Sequence, residues 1–277
     1  MEWLTQYKLP VGRASKAVVD WLTDNASVVF DGIALILRGG IDTLLWLLQT
    51  PHPLLLVALT AAVAHFLHRQ WMLTVFVAVG LLLIINQGYW EETTETLALV
   101  LAAATLCMLI GVPIGIAAAH RSWLFAALRP VLDLMQTIPT FVYLIPALVL
   151  FGLGMVPGLI ATVIFAIPAP IRLTYLGVSS VPKTLLEAGH AFGCSRRQLL
   201  YKIELPWAMP QIMAGLTQTI MLSLSMVVIA ALVGADGLGV PTLRALNQVN
   251  IAKGFEVGFA IVIIAIILDR LFRLKKD

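Results

Sequence analysis

No charged residue interrupts the chain from Leu134 to Ile171, and none from Leu205 to Ala235. Uncharged runs of this length leave few folds open. A helix needs about 20 apolar residues to cross the hydrocarbon of a bilayer. Inside lipid only helices and closed barrels satisfy their own backbone hydrogen bonds. Composition agrees: 60% of residues are hydrophobic and 12% charged, against about 25% charged in soluble domains. A soluble helical protein built this way would run out of polar residues for its surface. The expected fold class is an all-α polytopic membrane protein.

Seven spans are expected: Pro53–Leu67, Trp71–Gly88, Thr96–Ala119, Leu134–Leu153, Val156–Tyr175, Ile212–Gly234 and Phe255–Leu271. The first 50 residues differ from them. Phe30, Ile33, Leu37, Ile41, Leu44 and Leu48 recur at helical spacing, while Asp31, Arg38, Asp42 and Gln49 fall on another face. This pattern predicts an amphipathic, interfacial segment over 1–50, interrupted at the glycine pair 39–40. A spanning helix there would place Arg38 and Asp42 at its centre, where charges are costly. Pro113, Pro139, Pro146, Pro168 and Pro170 fall within or at the ends of spans. Such breaks suit a transport path that opens and closes, and equally suit ordinary kinked packing.

Charge sidedness orients the chain. With the loops counted alternately, one side carries twelve basic residues: Arg69, Arg121, Arg129, Arg172, Lys183, Arg196, Arg197, Lys202, Arg270, Arg273, Lys275 and Lys276. The other side carries two, Arg244 and Lys253, together with Glu91, Glu92 and Glu95. The positive-inside rule then predicts a cytoplasmic C-terminus and an N-terminus outside.

Between the two uncharged runs lies a polar, basic stretch, EAGHAFGCSRRQLLYKIELP, residues 187–206. It predicts two short amphipathic helices. Ser180 is expected to cap the first, with Pro182 and Lys183 in its first turn. Gly193 is expected to end it in a left-handed conformation. Ser195 is expected to cap the second, and Pro206 to stop it. Two such helices cannot build a core alone and should dock into a groove on a partner.

The spacing Glu187-Ala188-Gly189, three residues, Gly193, nine residues, Ile203, one residue, Leu205-Pro206 resembles the EAA loop of ABC importer permeases. It departs from that pattern at one place, Gly189 standing for the second alanine, and a small residue is kept. Residues 98–121, 130–152 and 213–239 are similar to the glycine betaine, proline betaine and choline branch of that family. The resemblance implies a type I ABC importer permease fold. It would comprise two scaffold helices in 51–88 and a five-helix core in 89–277, with coupling helices at 180–206. It further implies that Glu187, Ala188, Gly189, Gly193, Arg196, Arg197, Ile203, Leu205 and Pro206 form the contact with a cytoplasmic ATPase. The expected partners are that ATPase, a periplasmic or extracellular solute-binding protein, a second copy of the permease and the bilayer, with no nucleic acid. The expected location is the bacterial inner membrane.

Other chemistry finds little support. No GxxxxGK[ST] loop occurs, so ATP–Mg is expected in the partner ATPase and no cofactor on this chain. The motifs GxSxG and HExxH are also absent, and a catalytic role is not expected. His52, His65, His68, His120 and His190 are dispersed and lack metal-ligand spacing. Cys107 and Cys194 fall in different environments and are expected to be free thiols. Candidate residues along a translocation path are Thr137, Thr140, Tyr143, Ser223 and Ser225. Each has interhelical hydrogen bonding as its rival role. The function expected is the membrane permease of an ATP-driven importer for choline or glycine betaine. The alternatives are an importer permease for another solute, such as methionine or phosphonate, and an ion-coupled carrier. The latter would call for mid-span charges or inverted repeats, and neither is visible.

Overall fold

The computed structural model describes residues 10–273. Residues 1–9 of the expected interfacial segment lie outside the described residues, as do Lys275 and Lys276 of the basic count. The described residues contain helices and no strand. The helices are α1 (Val11–Gln49), α2 (Pro53–His68), α3 (Trp71–Asn86), α4 (Trp90–Ala119), α5 (Ser122–Thr137), α6 (Thr140–Phe151), α7 (Met155–Ala166), α8 (Pro168–Ser179), α9 (Lys183–Ala191), α10 (Arg196–Leu199), α11 (Leu205–Ala230), α12 (Gly239–Asn247) and α13 (Ile251–Phe272).

Four helical stretches are long and apolar enough to cross a membrane: Trp90–Ala119, Met155–Ser179, Arg196–Val233 and Ile251–Phe272. The α5–α6 pair makes a fifth if it is counted as one broken span. The helices α2 and α3 have 16 residues each. At 1.5 Å per residue each rises about 24 Å, less than the hydrocarbon thickness of about 30 Å. The count of seven full-length spans is therefore not established by the helices alone.

Two expectations need correction. The fourth span, expected over Leu134–Leu153, is not one helix: α5 and α6 meet at 94°. Pro139 disfavours the helical conformation of the residue before it, and Ile138 is extended at φ −65°, ψ 131°. The glycine pair 39–40 does not interrupt α1, which runs unbroken for 39 residues. Glycine in a helix costs about 1 kcal/mol relative to alanine. Here Ile41 is 2% exposed, and Leu37 and Leu45 pack against the same core, so tertiary packing outweighs the propensity.

The bundle has two distinguishable ends. At one end α1 crosses the ends of the core helices. Phe30 packs edge-on against Phe151 (5.4 Å), Arg38 and Asp42 line a small cavity with Leu153–Val156, and Gln49 donates to Thr94 (3.0 Å). The Tyr89–Glu256 bond (3.3 Å) and the bond from the Leu238 amide to Thr96 (2.9 Å) lie at this end too. At the opposite end Arg172 pairs with Asp133 (2.6 Å), Phe125 stacks on Tyr175 (3.5 Å), and the 183–204 hairpin projects.

Between the ends, α4, α8 and α11 approach closely because their contact faces are small. A Cβ placed on Gly115 would lie 2.6 Å from Thr174 Cβ and 2.7 Å from the Ile171 carbonyl oxygen. Gly177 meets Ala208 and Gln211 in the same way. Close approach at small residues is how helices gain van der Waals contact in lipid, where no hydrophobic force drives them together.

Candidate functional site

The hairpin is built from local rules. Helix α9 starts at Lys183 after Pro182, whose ψ is 133°. Ser180 does not cap it. Its hydroxyl donates back to the Gly177 carbonyl (2.8 Å), at the end of α8. The Val181-Pro182 step separates Ser180 from the new helix, and proline holds the residue before it out of the helical region. At the far end of α9 the Gly193 amide donates to His190 and the Cys194 amide to Gly189 (2.9 and 3.0 Å). That pair of bonds is a Schellman motif, which needs a left-handed residue, and Gly193 supplies it at φ +73°. Ser195 then caps α10 as expected. Its hydroxyl accepts from the Gln198 amide (3.4 Å), and the Gln198 side chain accepts from the Ser195 amide (2.8 Å). This is a reciprocal capping box.

Pro206 does not stop the second helix. The chain stays helical from Arg196 to Val233. A π-helical turn, Leu200–Glu204, precedes the proline, and the Leu205 amide donates to the Leu200 carbonyl five residues back. The missing proline N–H and the bulk of its ring would disturb an ordinary α-turn. The wider turn takes up the residue, and Pro206 sits in the first turn of α11.

The motif spacing has a packing reason. Gly189 is buried at the crossing of the two hairpin arms. A Cβ there would meet Ile203 Cδ1 at 2.7 Å and Leu199 Cδ2 at 2.8 Å. So a small residue at 189, a turn at 193 and a bulky apolar residue at 203 are one arrangement. Outside this contact the hairpin is exposed. Glu187, Ala188, Arg196, Arg197 and Lys202 face out. Leu185, Phe192 and Tyr201 are 40%, 89% and 67% exposed. Leu205 is half-buried and Pro206 exposed at the root of the hairpin. Exposed apolar side chains amid basic ones form a surface suited to a protein partner.

Two residues of this region were not foreseen. Glu204 is 8% exposed, and its carboxylate accepts from His120 Nε2 at 2.9 Å. The signal was present in the sequence: a carboxylate stands between Ile203 and Leu205, at the threshold of an uncharged run.

The candidate path residues do not form one cluster. Thr137, Thr140 and Tyr143 gather at the α5–α6 bend. The Tyr143 hydroxyl donates across the bend to the Met135 carbonyl, and Thr137 donates to the Leu134 carbonyl (3.3 Å). These hydroxyls satisfy carbonyls at the broken end of α5. On α11 the two serines diverge. Ser223 is fully buried with no hydrogen-bond partner among the described residues, while Ser225 is exposed and donates to the Met221 carbonyl (3.1 Å).

Helical throughout the described residues, with several apolar spans and an exposed two-helix hairpin at one end, the chain has the architecture of a multi-pass integral membrane protein. The chain belongs to the family of binding-protein-dependent transport system inner membrane components, which matches residues 111–274. It is 44% identical over 264 residues to the glycine betaine transport system permease protein OpuAB of Bacillus subtilis, covering 95% of this chain and 93% of that one. The glycine betaine/carnitine transport permease protein GbuB of Listeria monocytogenes is also 44% identical, over 95% and 94%. The glycine betaine/proline betaine permease ProW of Escherichia coli is 43% identical over 91% of this chain and 71% of its own. Among solved structures, an inward-facing form of the MetNI methionine ABC transporter matches with a TM-score of 0.57 and 23% identity. That match covers 63% of this chain and 88% of the other, and it supports the type I ABC permease fold. Membership of this family removes the ion-coupled carrier alternative.

Proposed function

We propose that this chain is the membrane subunit through which a quaternary ammonium osmolyte, glycine betaine or choline, enters the cell. Import is driven by a separate ATPase seated on the 183–204 hairpin. The observation that carries this reading is the hairpin itself. Its Schellman turn, capping box and Gly189 crossing hold Leu185, Phe192 and Tyr201 exposed amid basic residues. An amphipathic helix with unpartnered apolar residues is the half of a helix-in-groove contact that a partner completes. The substrate follows from relatives named for glycine betaine, and outweighs the methionine and phosphonate alternatives.

The remaining parts of the reading are these. Ten described basic residues of the hairpin side favour the cytoplasm for that end, leaving α1 outside. Two copies of the chain form the path, and a solute-binding protein delivers the substrate to the end crossed by α1. The polar and aromatic groups at the α5–α6 bend, with Ser223 and Ser225, supply a weak and transient path. A quaternary amine has no N–H to donate and is held by aromatic faces, so a tight cage belongs to the binding protein. ATP–Mg is bound by the ATPase.

The test is reconstitution. Vesicles containing this chain, its ATPase and its binding protein are loaded with ATP and offered radiolabelled glycine betaine, choline or methionine. Accumulation of a quaternary amine only with ATP is expected. Accumulation of methionine instead, or uptake driven by an ion gradient without ATP, would overturn the reading.

A further inference from the structure

The His120–Glu204 pair stands where the hairpin joins the spans. His120 closes the last turn of α4, its amide donating to the Ala118 and Ile116 carbonyls. Glu204 ends the π-helical turn that leads into α11. Among the described residues, the 2.9 Å bond between them is the one side-chain hydrogen bond that ties the 183–204 hairpin to another part of the chain. The carboxylate is nearly buried, with 11% of its side chain exposed. A buried carboxylate that loses its partner is strongly disfavoured.

The turn beside it matters equally. A π-helical turn carries one residue more than an α-turn. Each residue turns the chain by about 100° in a helix of 3.6 residues per turn. If the Leu200–Glu204 turn tightened to α, the hairpin would swing by about that angle relative to α11. Glu204 is the last residue of that turn, so its bond to His120 fixes the root from which the hairpin projects.

We propose that His120 and Glu204 are positioning residues for transport, holding the hairpin in one register against α4 and α11. Movement of a docked ATPase then reaches the spans as a rigid displacement and is not absorbed by the joint. This inference rests on the reading that the hairpin docks the ATPase. The pair touches neither solute nor nucleotide, and it acts through the hairpin. Its loss should leave ATPase binding and hydrolysis in place while severing hydrolysis from import.

The measurement is solute accumulated per ATP hydrolysed, with radiolabelled glycine betaine, in vesicles holding the permease, ATPase and binding protein. The variants are His120→Ala, Glu204→Ala, the double variant and His120→Phe. Each alanine variant is expected to retain the ATPase and to hydrolyse ATP, with uptake per ATP lowered severalfold. The double variant should fall no further than the worse single one, because the residues act as a unit. A parental ratio in both alanine variants, or losses that multiply in the double variant, overturns the proposal. If the alanine variants fail to assemble, His120→Phe carries the test, since it keeps the bulk of the ring and removes the donor. It is expected to assemble with a lowered ratio, and a parental ratio there overturns the proposal equally. Glu187→Lys separates this inference from the docking reading. If docking is misread, the Glu187→Lys complex keeps its ATPase and transports normally. If only the positioning role is wrong, Glu187→Lys fails while the His120 and Glu204 variants run at the parental ratio.

Discussion

Replacing Gly193 tests the hairpin by backbone conformation alone. The residue sits at φ +73°, and a Cβ added there would find no heavy atom within 4 Å. The Cβ itself therefore costs nothing, and the strain lies in the left-handed backbone. For alanine the left-handed region costs about 1 kcal/mol. For valine, whose branched Cβ makes positive φ a genuine outlier, about 2 kcal/mol is expected. Asparagine tolerates the region and should cost least. One to two kcal/mol lowers the ratio of ordered to disordered hairpin about 5- to 30-fold. The turn lies outside the lipid-embedded helices, so insertion and expression should be unaffected. The assay is retention of the ATPase on purified permease, together with ATP-driven uptake, across Gly193→Asn, Gly193→Ala and Gly193→Val. Both should fall in that order. Equal behaviour of asparagine and valine would refute the reasoning, because it would mean that the turn conformation does not govern docking.

Gly189→Ala should be nearly neutral, because its Cβ meets only the flexible tips of Ile203 and Leu199; Gly189→Leu should prise the arms apart and release the ATPase, read by copurification. Gly115→Leu should behave differently, since its Cβ would meet the Ile171 backbone oxygen at 2.7 Å. Overpacking costs typically 1–3 kcal/mol, so the melting temperature of the purified protein should drop, and an unchanged value would count against the α4–α8 contact. Cys194, half-buried on the hairpin, should escape a membrane-impermeant thiol reagent in intact cells and react in inverted vesicles. Cys107, fully buried, should stay unlabelled in both, and labelling of Cys194 from outside would reverse the orientation.

The sequence was most informative where a local rule needed no partner. The positive φ of Gly193 and the cap at Ser195 were legible because each depends on residues within one turn. The uncharged runs likewise announced apolar helices, since charge is costly in hydrocarbon wherever the helix packs. What was not legible depended on neighbours. The glycine pair 39–40 reads as a break until Leu37, Ile41 and Leu45 find a core to rest on. Pro206 reads as a stop until a wider turn forms before it. The 94° bend at Pro139 was hidden because a proline in an apolar run looks the same whether the helix kinks slightly or turns a corner. His120 and Glu204 lie 84 positions apart, and no periodicity within a single helix can join them. For the path residues, sequence chose hydroxyls by type, whereas burial separates Ser223 from Ser225, two positions away on the same helix.

The unbroken α1 has a mechanical meaning. Between Phe30 and Gln49 it is one rod about 29 Å long at 1.5 Å per residue, fastened at the α6 end, at the α6–α7 turn and at the start of α4. A stiff splint fixed at three points keeps those points at constant separation. The helices beneath it cannot fan apart at this end, and any widening of the path there has to come from tilting the whole splinted group as one body. Among the described residues the opposite end has no such rod. Arg172 on Asp133 and Phe125 on Tyr175 are contacts between side chains there, which can be made and broken while the His120–Glu204 bond holds the hairpin root. The fold is thus braced at one mouth and jointed at the other.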